Sequence, residues 1–263
     1  MNTPPQATGS VTLVGGGPGD EKLLTVAAVD ALRDADVVLY DRLAPHGRLA
    51  DLAPNATLIN VGKTPGHHPV GQADIEALLV EHALNGCRVV RLKGGDPYVF
   101  GRGAEEVAAC RSAGVPVSVI PGVTSAISVP AAAGIPVTAR GVTHMFTVVS
   151  GHAPLSDDEH RHLAGLGSTI VVLMGVATLP TLTQGLIRHG LSPELPLAII
   201  ERGYTATQRT TLATLGSALS VASQAAIRSP AVLVIGEVVR FAEDGDAAAA
   251  RLLDTASSLA APQ

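Results

Sequence analysis

Trp is absent and aromatic residues make up only 2% of the 263 positions. The chain therefore lacks the base-stacking platforms of single-stranded nucleic-acid binders. Basic blocks are missing as well: 18 Lys and Arg stand against 23 Asp and Glu, a formal charge of −5, which leaves no electrostatic footprint for a polynucleotide. No run approaches the roughly 18 uninterrupted apolar residues of a membrane helix. The opening MNTPPQATGS has neither the basic nor the apolar region of a signal peptide, so residues 1–9 read as a disordered lead-in to a cytosolic protein. Cysteine is scarce. Cys87 and Cys110 share no CxxC spacing and read as reduced, partly buried thiols. No GxSxG, HExxH or paired Cys/His nucleophile occurs, so hydrolytic machinery is not visible. His67-His68 and His160-x-His162 come without further ligands at zinc spacing, and no metal is expected. His160 and His162 read as the solvated face of a charged helix start.

What is present is a 46% hydrophobic content built from Val, Leu, Ile and Ala, the composition of parallel strands buried under helices. Short β-branched runs alternate with helical patterns. Val11–Gly15, Val37–Tyr40, Thr57–Val61, Arg88–Leu92 and Val117–Ile120 are expected strands, and Leu24–Ala35 is an expected helix with one apolar face. The rhythm pauses at 136–145 and resumes with Phe146–Ser150, Thr169–Leu173, Leu197–Ile200 and Val232–Ile235. That pause predicts two α/β domains, 10–138 and 144–245, with a terminal helical tail at 246–263.

Chemistry-bearing residues gather where the strands end. The glycine loop at Gly15–Asp20 carries Pro18, which donates no N–H, and Asp20 with Glu21 at the following helix entrance, so it suits a neutral or cationic ligand rather than a phosphate. It reads equally as a tight turn with a helix cap. Asp41 closes the second strand, as a reactive carboxylate, a cap or a partner for Arg42. Lys63 closes the third, Gly94, Gly95 and Asp96 the fourth, and Thr124 and Ser125 the fifth. In a parallel sheet these turns share one edge, where open α/β sheets bind ligands. Apolar walls are expected from VVRL and SAISVPAAAG.

VGGGPGD, VVLYDRL, VGK, VVRLKGGDPYVFGRGAEE, IPGVTSA, VVLMGV, ERGYTATQRT and SPAVLVIGEVV, in this order and spacing, resemble the tetrapyrrole methyltransferase superfamily over roughly residues 10–240, and within it the members that methylate uroporphyrinogen III. The resemblance implies a mostly parallel sheet in the N-terminal domain, a mixed sheet in the C-terminal one, an active site in the cleft between them and a homodimer. S-adenosylmethionine is the implied co-substrate, leaving as S-adenosylhomocysteine. Its implied contacts are Pro18, Gly94, Gly95, Asp96, Val99, Thr124, Ser125, Met174, Gly203 and Ala231. Asp41 matches the proton acceptor and Lys63 the proton donor. Arg42, Arg48, Arg140, His144 and His152 are candidates for the substrate's carboxylates. The sequence departs from the usual pattern at Thr64, Glu76 and Tyr204, on the substrate side. The implied reaction is methylation of uroporphyrinogen III at C2 and C7 to precorrin-2, on the way to sirohaem or cobalamin. A later precorrin or cobalt-precorrin as substrate is the alternative, and a non-catalytic ligand-binding protein is a rival from another class.

Overall fold

Five aliphatic runs in the first half of the chain become an all-parallel sheet of β1 (Ser10–Gly15), β2 (Val37–Tyr40), β3 (Thr57–Asn60), β4 (Arg88–Lys93) and β5 (Val117–Ile120), in the order β3-β2-β4-β1-β5. The computed structural model describes residues 8–62 and 70–242. Lys63, His67 and His68, residues 1–7 of the lead-in and the tail at 246–263 lie outside the described residues. The chain divides into two units, Met1–Thr124 and Ser125–Gln263.

In the first unit the pleat sends alternate side chains to opposite faces. Val11, Leu13, Val37, Leu39 and Val89 face α3 (Gln72–Leu84) and α4 (Gly103–Ser112), which bring Ile75, Leu79, Val107 and Cys110. Val14, Val38, Val90 and Leu92 face α1 (Val26–Arg33) and the single turn α2 (Leu49–Leu52), which bring Ala28, Leu32 and Leu49. Covering both faces is what lets the strands be apolar throughout. Helix α1 starts where Thr25 Oγ1 accepts the Ala28 N–H at 3.1 Å, an N-cap. At the amino ends of β2 and β4, Arg88 clasps Asp36 through Nη2, Nε and its backbone N–H at 3.0, 3.2 and 2.7 Å. The hydrogen bond from the Arg88 side chain holds the Asp36 carboxyl below its ordinary value.

The second unit opens with α5 (Ser125–Ala132). Its Ala126 and Val129 pack with Val171, Val232 and Val234 of the second sheet, so the division between the units stands ahead of the pause that the sequence shows at 136–145. The sheet holds β6 (Phe146–Ser150), β7 (Thr169–Leu173), β8 (Pro196–Glu201), β9 (Arg209–Thr214) and β10 (Ala231–Ile235), in the order β6-β7-β10-β8-β9. Only β6 and β7 pair in parallel, which makes it the mixed sheet expected. The strand β9 has no counterpart in the sequence expectations. RTTLAT is a half-exposed edge strand whose three threonines mask the apolar alternation. Helices α6 (Asp157–Gly165), α7 (Leu179–Arg188) and α8 (Ala218–Gln224) cover the face opposite α5 with Leu163, Leu179, Leu182, Leu186 and Ala218.

One expectation is corrected here. His160 is buried rather than solvated, while His162 is exposed. Ser156 and Glu159 form a capping box at the start of α6, and His160 Nδ1 bonds the Ser156 carbonyl oxygen at 2.8 Å. The ring then lies on Gly185 of α7, where an added Cβ would fall 2.2 Å from His160 Cδ2. Inside a helix Gly→Ala ordinarily stabilises by about 1 kcal/mol. Gly185→Ala is expected instead to destabilise by about 1–2 kcal/mol, because the methyl overpacks against the ring. The sign reverses in a His160→Ala background, and urea unfolding of the four proteins checks it. Additive effects would contradict the contact.

Candidate active site

The carboxyl ends of β1, β4 and β5 approach until backbone touches backbone. A Cβ on Gly15 would lie 2.4 Å from Gly122 N, and one on Gly122 would lie 2.4 Å from Gly95 O. Only glycine allows this spacing. Gly17, with φ +74°, pairs with Gly95 through N–H···O bonds of 3.1 and 2.7 Å, and Gly16 N–H donates to Lys93 O at 2.7 Å. Asp96 ties the junction: Oδ2 accepts the Gly122 N–H at 3.0 Å and Oδ1 the Tyr98 N–H at 2.8 Å. Both oxygens thus serve the backbone first, and each keeps a further lone pair for a ligand. The turn beyond, carrying Val99, holds Phe100 and Arg102 at φ +54° and +58°. Non-glycine residues in this region mark a backbone held by its surroundings, a frequent feature of binding sites.

Asp41 follows β2 on the same edge, its N–H bonded to Leu92 O at 3.2 Å. It neither caps a helix through its side chain nor pairs with Arg42. Its Oδ1 instead accepts from Arg91 Nη2 at 2.5 Å. Arg91 stands at a position expected to form an apolar wall, yet it is 2% exposed. Its Nε donates to Glu106 Oε1 at 3.1 Å, and its Nη1 to Leu39 O and Leu92 O at 3.4 and 3.2 Å. Lys93 Nζ donates to the same Glu106 Oε1 at 2.9 Å. Two cations and two carboxylates therefore form a chain from the core to the edge, and only Asp41, with 30% of its side chain exposed, reaches solvent. Burial, with the Arg91 charge adding to it, pushes the Lys93 ammonium below its ordinary value against the pull of Glu106.

Other expected residues lie in the segments that follow β1, β2 and β5. Arg42 is exposed and abuts Gly62, the last described residue after β3. Arg48 is tied to the segment after the glycine loop by its N–H, bonded to Glu21 Oε1 at 2.8 Å, while its Nε bonds Asp51. Pro18 sits half-buried in the loop whose end, Asp20, accepts the Lys22 N–H at 2.9 Å. Thr124 follows β5 at the same edge.

In the second unit β6, β7 and β8 run one way and β10 the other, so the ends of the first three and the start of the fourth share an edge. Met174 follows β7, Ala231 opens β10 in register with Glu201, and Gly203 follows β8, so three expected contacts come together. Here too glycines are tight: a Cβ on Gly151 would lie 2.4 Å from Gly175 Cα, and one on Gly203 would lie 2.7 Å from both Val129 methyls. Met174, Arg202 and Tyr204 adopt φ +60°, +48° and +60°. The turn is anchored by fully buried Glu201, which accepts from Arg202, from the Arg228 N–H at 2.9 Å and from Arg209 Nε at 2.5 Å. Met174 is 46% exposed rather than filling the core. His152 follows β6 at this edge. His144 precedes β6 and Arg140 lies in the turn closed by Ala139 and Thr143, so a strand about 16 Å long separates them from His152. Ser125 begins α5. Among the described residues no cluster of His, Cys, Asp and Glu could hold a metal, and no helix is long and apolar enough to cross a membrane.

A family model described as Tetrapyrrole (Corrin/Porphyrin) Methylases matches residues 10–219. An S-adenosyl-L-methionine-dependent uroporphyrinogen III methyltransferase of Methanosarcina barkeri is 46% identical over 237 residues, 89% of this chain and 93% of that one. A siroheme synthase of Tolumonas auensis is 45% identical over 90% of this chain, which spans only 51% of that protein. Among solved structures, the uroporphyrin-III C-methyl transferase of Thermus thermophilus complexed with S-adenyl homocysteine matches with a TM-score of 0.75 and 43% identity, over 88% of this chain and 99% of that one.

The buried ionic chain has measurable consequences. Glu106→Ala strands two buried cations and is expected to destabilise by about 3–5 kcal/mol in urea unfolding. Glu105→Ala, which removes only an exposed partner of Arg102 one residue away, leaves the midpoint essentially unchanged. Because Lys93 titrates below its unfolded value of 10.5, the unfolded chain binds the extra proton in the window between the two. Stability from this group therefore rises with pH through that window, and its penalty is complete below it. Wild type should gain on Lys93→Met as pH rises towards 10.5, and a pH-independent difference would contradict this.

Proposed function

Because the chain belongs to the tetrapyrrole methylase family, we propose that it transfers methyl groups from S-adenosylmethionine to C2 and C7 of uroporphyrinogen III, giving precorrin-2, as a cytoplasmic homodimer. The observation that carries this reading is the near-full-length likeness to a uroporphyrinogen III methyltransferase, in a chain whose Asp41 carboxylate stands at the ligand-binding edge of a parallel sheet. The residues present suit the donor. Its cationic sulfonium is matched by Asp20 and Asp96, and the glycines at 15–17, 94–95 and 122 let a ligand approach the main chain closely. Contacts to the donor are assigned to Pro18, Gly94, Gly95, Asp96, Val99 and Thr124 of the first unit and to Ser125, Met174, Gly203 and Ala231 of the second.

S-adenosylmethionine supplies an electrophilic methyl on an excellent leaving group, so the chain's task is chiefly alignment. The rest falls to side chains. Once a pyrrole carbon is methylated, a proton must leave the macrocycle, and Asp41 Oδ2 is the acceptor assigned to it: Oδ1 is engaged by Arg91, while Oδ2 has no protein hydrogen bond among the described residues. Lys63 returns a proton elsewhere on the ring. Arg42, Arg48 and His152 are assigned to the substrate's carboxylates in preference to Arg140 and His144, because Arg42 adjoins Asp41, Arg48 is tied to the segment that follows the glycine loop, and His152 shares an edge with Met174 and Ala231.

Incubation with uroporphyrinogen III and S-adenosylmethionine, followed by mass spectrometry, should give a product gaining first one and then two methyl groups. An unmodified substrate, with turnover of a later precorrin instead, would overturn the assignment. Asp41→Asn is expected to lower kcat by about 10²–10⁴.

A further inference from the structure

We propose that Arg91, locked in place by Glu106, is a positioning residue for the reaction, which aims the free oxygen of Asp41. The inference rests on the reading of Asp41 as proton acceptor and adds two residues that never touch the substrate. All three nitrogens of Arg91 are committed: Nε to Glu106, Nη1 to the carbonyls of Leu39 and Leu92, and Nη2 to Asp41 Oδ1. The guanidinium cannot turn without breaking several bonds at once, because its fork geometry is rigid. Asp41 is pinned to β4 twice, by its N–H on Leu92 O and by Arg91 on its carboxylate. Two residues beyond Leu92 the same strand becomes the Gly94–Gly95 turn. The position of Oδ2 relative to that turn is thereby set within one strand.

Stability alone does not account for the arrangement. A buried ion pair is commonly no better than apolar residues of equal volume, and the neighbours of Arg91 on this face of the sheet are Val11, Leu13, Val37, Leu39 and Val89. A leucine or methionine would suit that face. What such a residue could not do is carry a fixed hydrogen-bond donor from the core out to the strand end.

The test is a double-mutant cycle on the full chain, with uroporphyrinogen III and S-adenosylmethionine as substrates. Arg91→Met/Glu106→Gln removes one charge of each sign and preserves volume. Combined with thermal melting to verify folding, it is expected to lower kcat by about 10- to 100-fold, the cost of a misplaced catalytic group, while KM for S-adenosylmethionine stays unchanged. Added to Asp41→Asn it should cost no more than about twofold further, since Arg91 acts through Asp41. Wild-type kcat in the double variant while Asp41→Asn is impaired, or losses that multiply, would overturn the proposal and leave the reading of Asp41 standing. Wild-type turnover by Asp41→Asn would instead remove that reading and this proposal with it. If the double variant melts below the assay temperature, Arg91→Lys takes its place. Lysine cannot reach Asp41, Glu106 and both carbonyls together, so kcat should fall by the same order, and an unaffected kcat would count against the role.

Discussion

Three glycine backbones in mutual contact, Gly15, Gly95 and Gly122, set the spacing of the strand ends on which the first unit's chemistry stands. Any side chain there would force β1, β4 and β5 apart at their carboxyl ends. With the contact made, the loop after β1 pairs with the turn after β4, and Asp96 fastens that turn to the segment after β5. The loops are shaped by one another before any ligand arrives. Preorganisation of this kind suits a reaction in which alignment is the principal task.

The second unit reaches a comparable edge by other means. Its sheet is mixed, so the residues that converge are the ends of β6, β7 and β8 and the beginning of β10. Gly151 against Gly175 repeats the close approach, while Met174, Arg202 and Tyr204 take left-handed backbone conformations that side chains rarely adopt. Glu201 holds the last of these turns from beneath, as Glu106 holds Arg91 in the first unit. In each unit a buried carboxylate gathers cations under a loop.

Much of this was legible in the residues. Short β-branched runs alternating with helical patterns point to nine of the ten strands among the described residues, and the rule that parallel strands share an edge brings Asp41, Asp96 and Thr124 together. Three things escaped. The strand β9 did, because threonines at an edge blur the period-two signal. The burial of His160 did, because a ring beside a charged cap looks solvated until Gly185 of another helix is seen to receive it. The ionic chain escapes because VVRL reads as apolar. Its signal was present: Arg91 and Lys93 lie two apart in an otherwise buried strand, hence on one face, and Glu106 neighbours Val107 and precedes Cys110 by one helical turn on the inward side of α4.

The first sheet is clasped at both ends of β2 and β4, and the two clasps differ in their exposure to water. Arg88 and Asp36 meet at the surface, where mobile ions compete for each of them, whereas Arg91 and its carboxylates are sheltered from the ionic atmosphere. Salt thus acts on the two strands asymmetrically, fraying their beginnings and sparing their ends. A briny or a dilute medium would leave the same hearth for chemistry, with only the far hem of the sheet more or less loosely stitched.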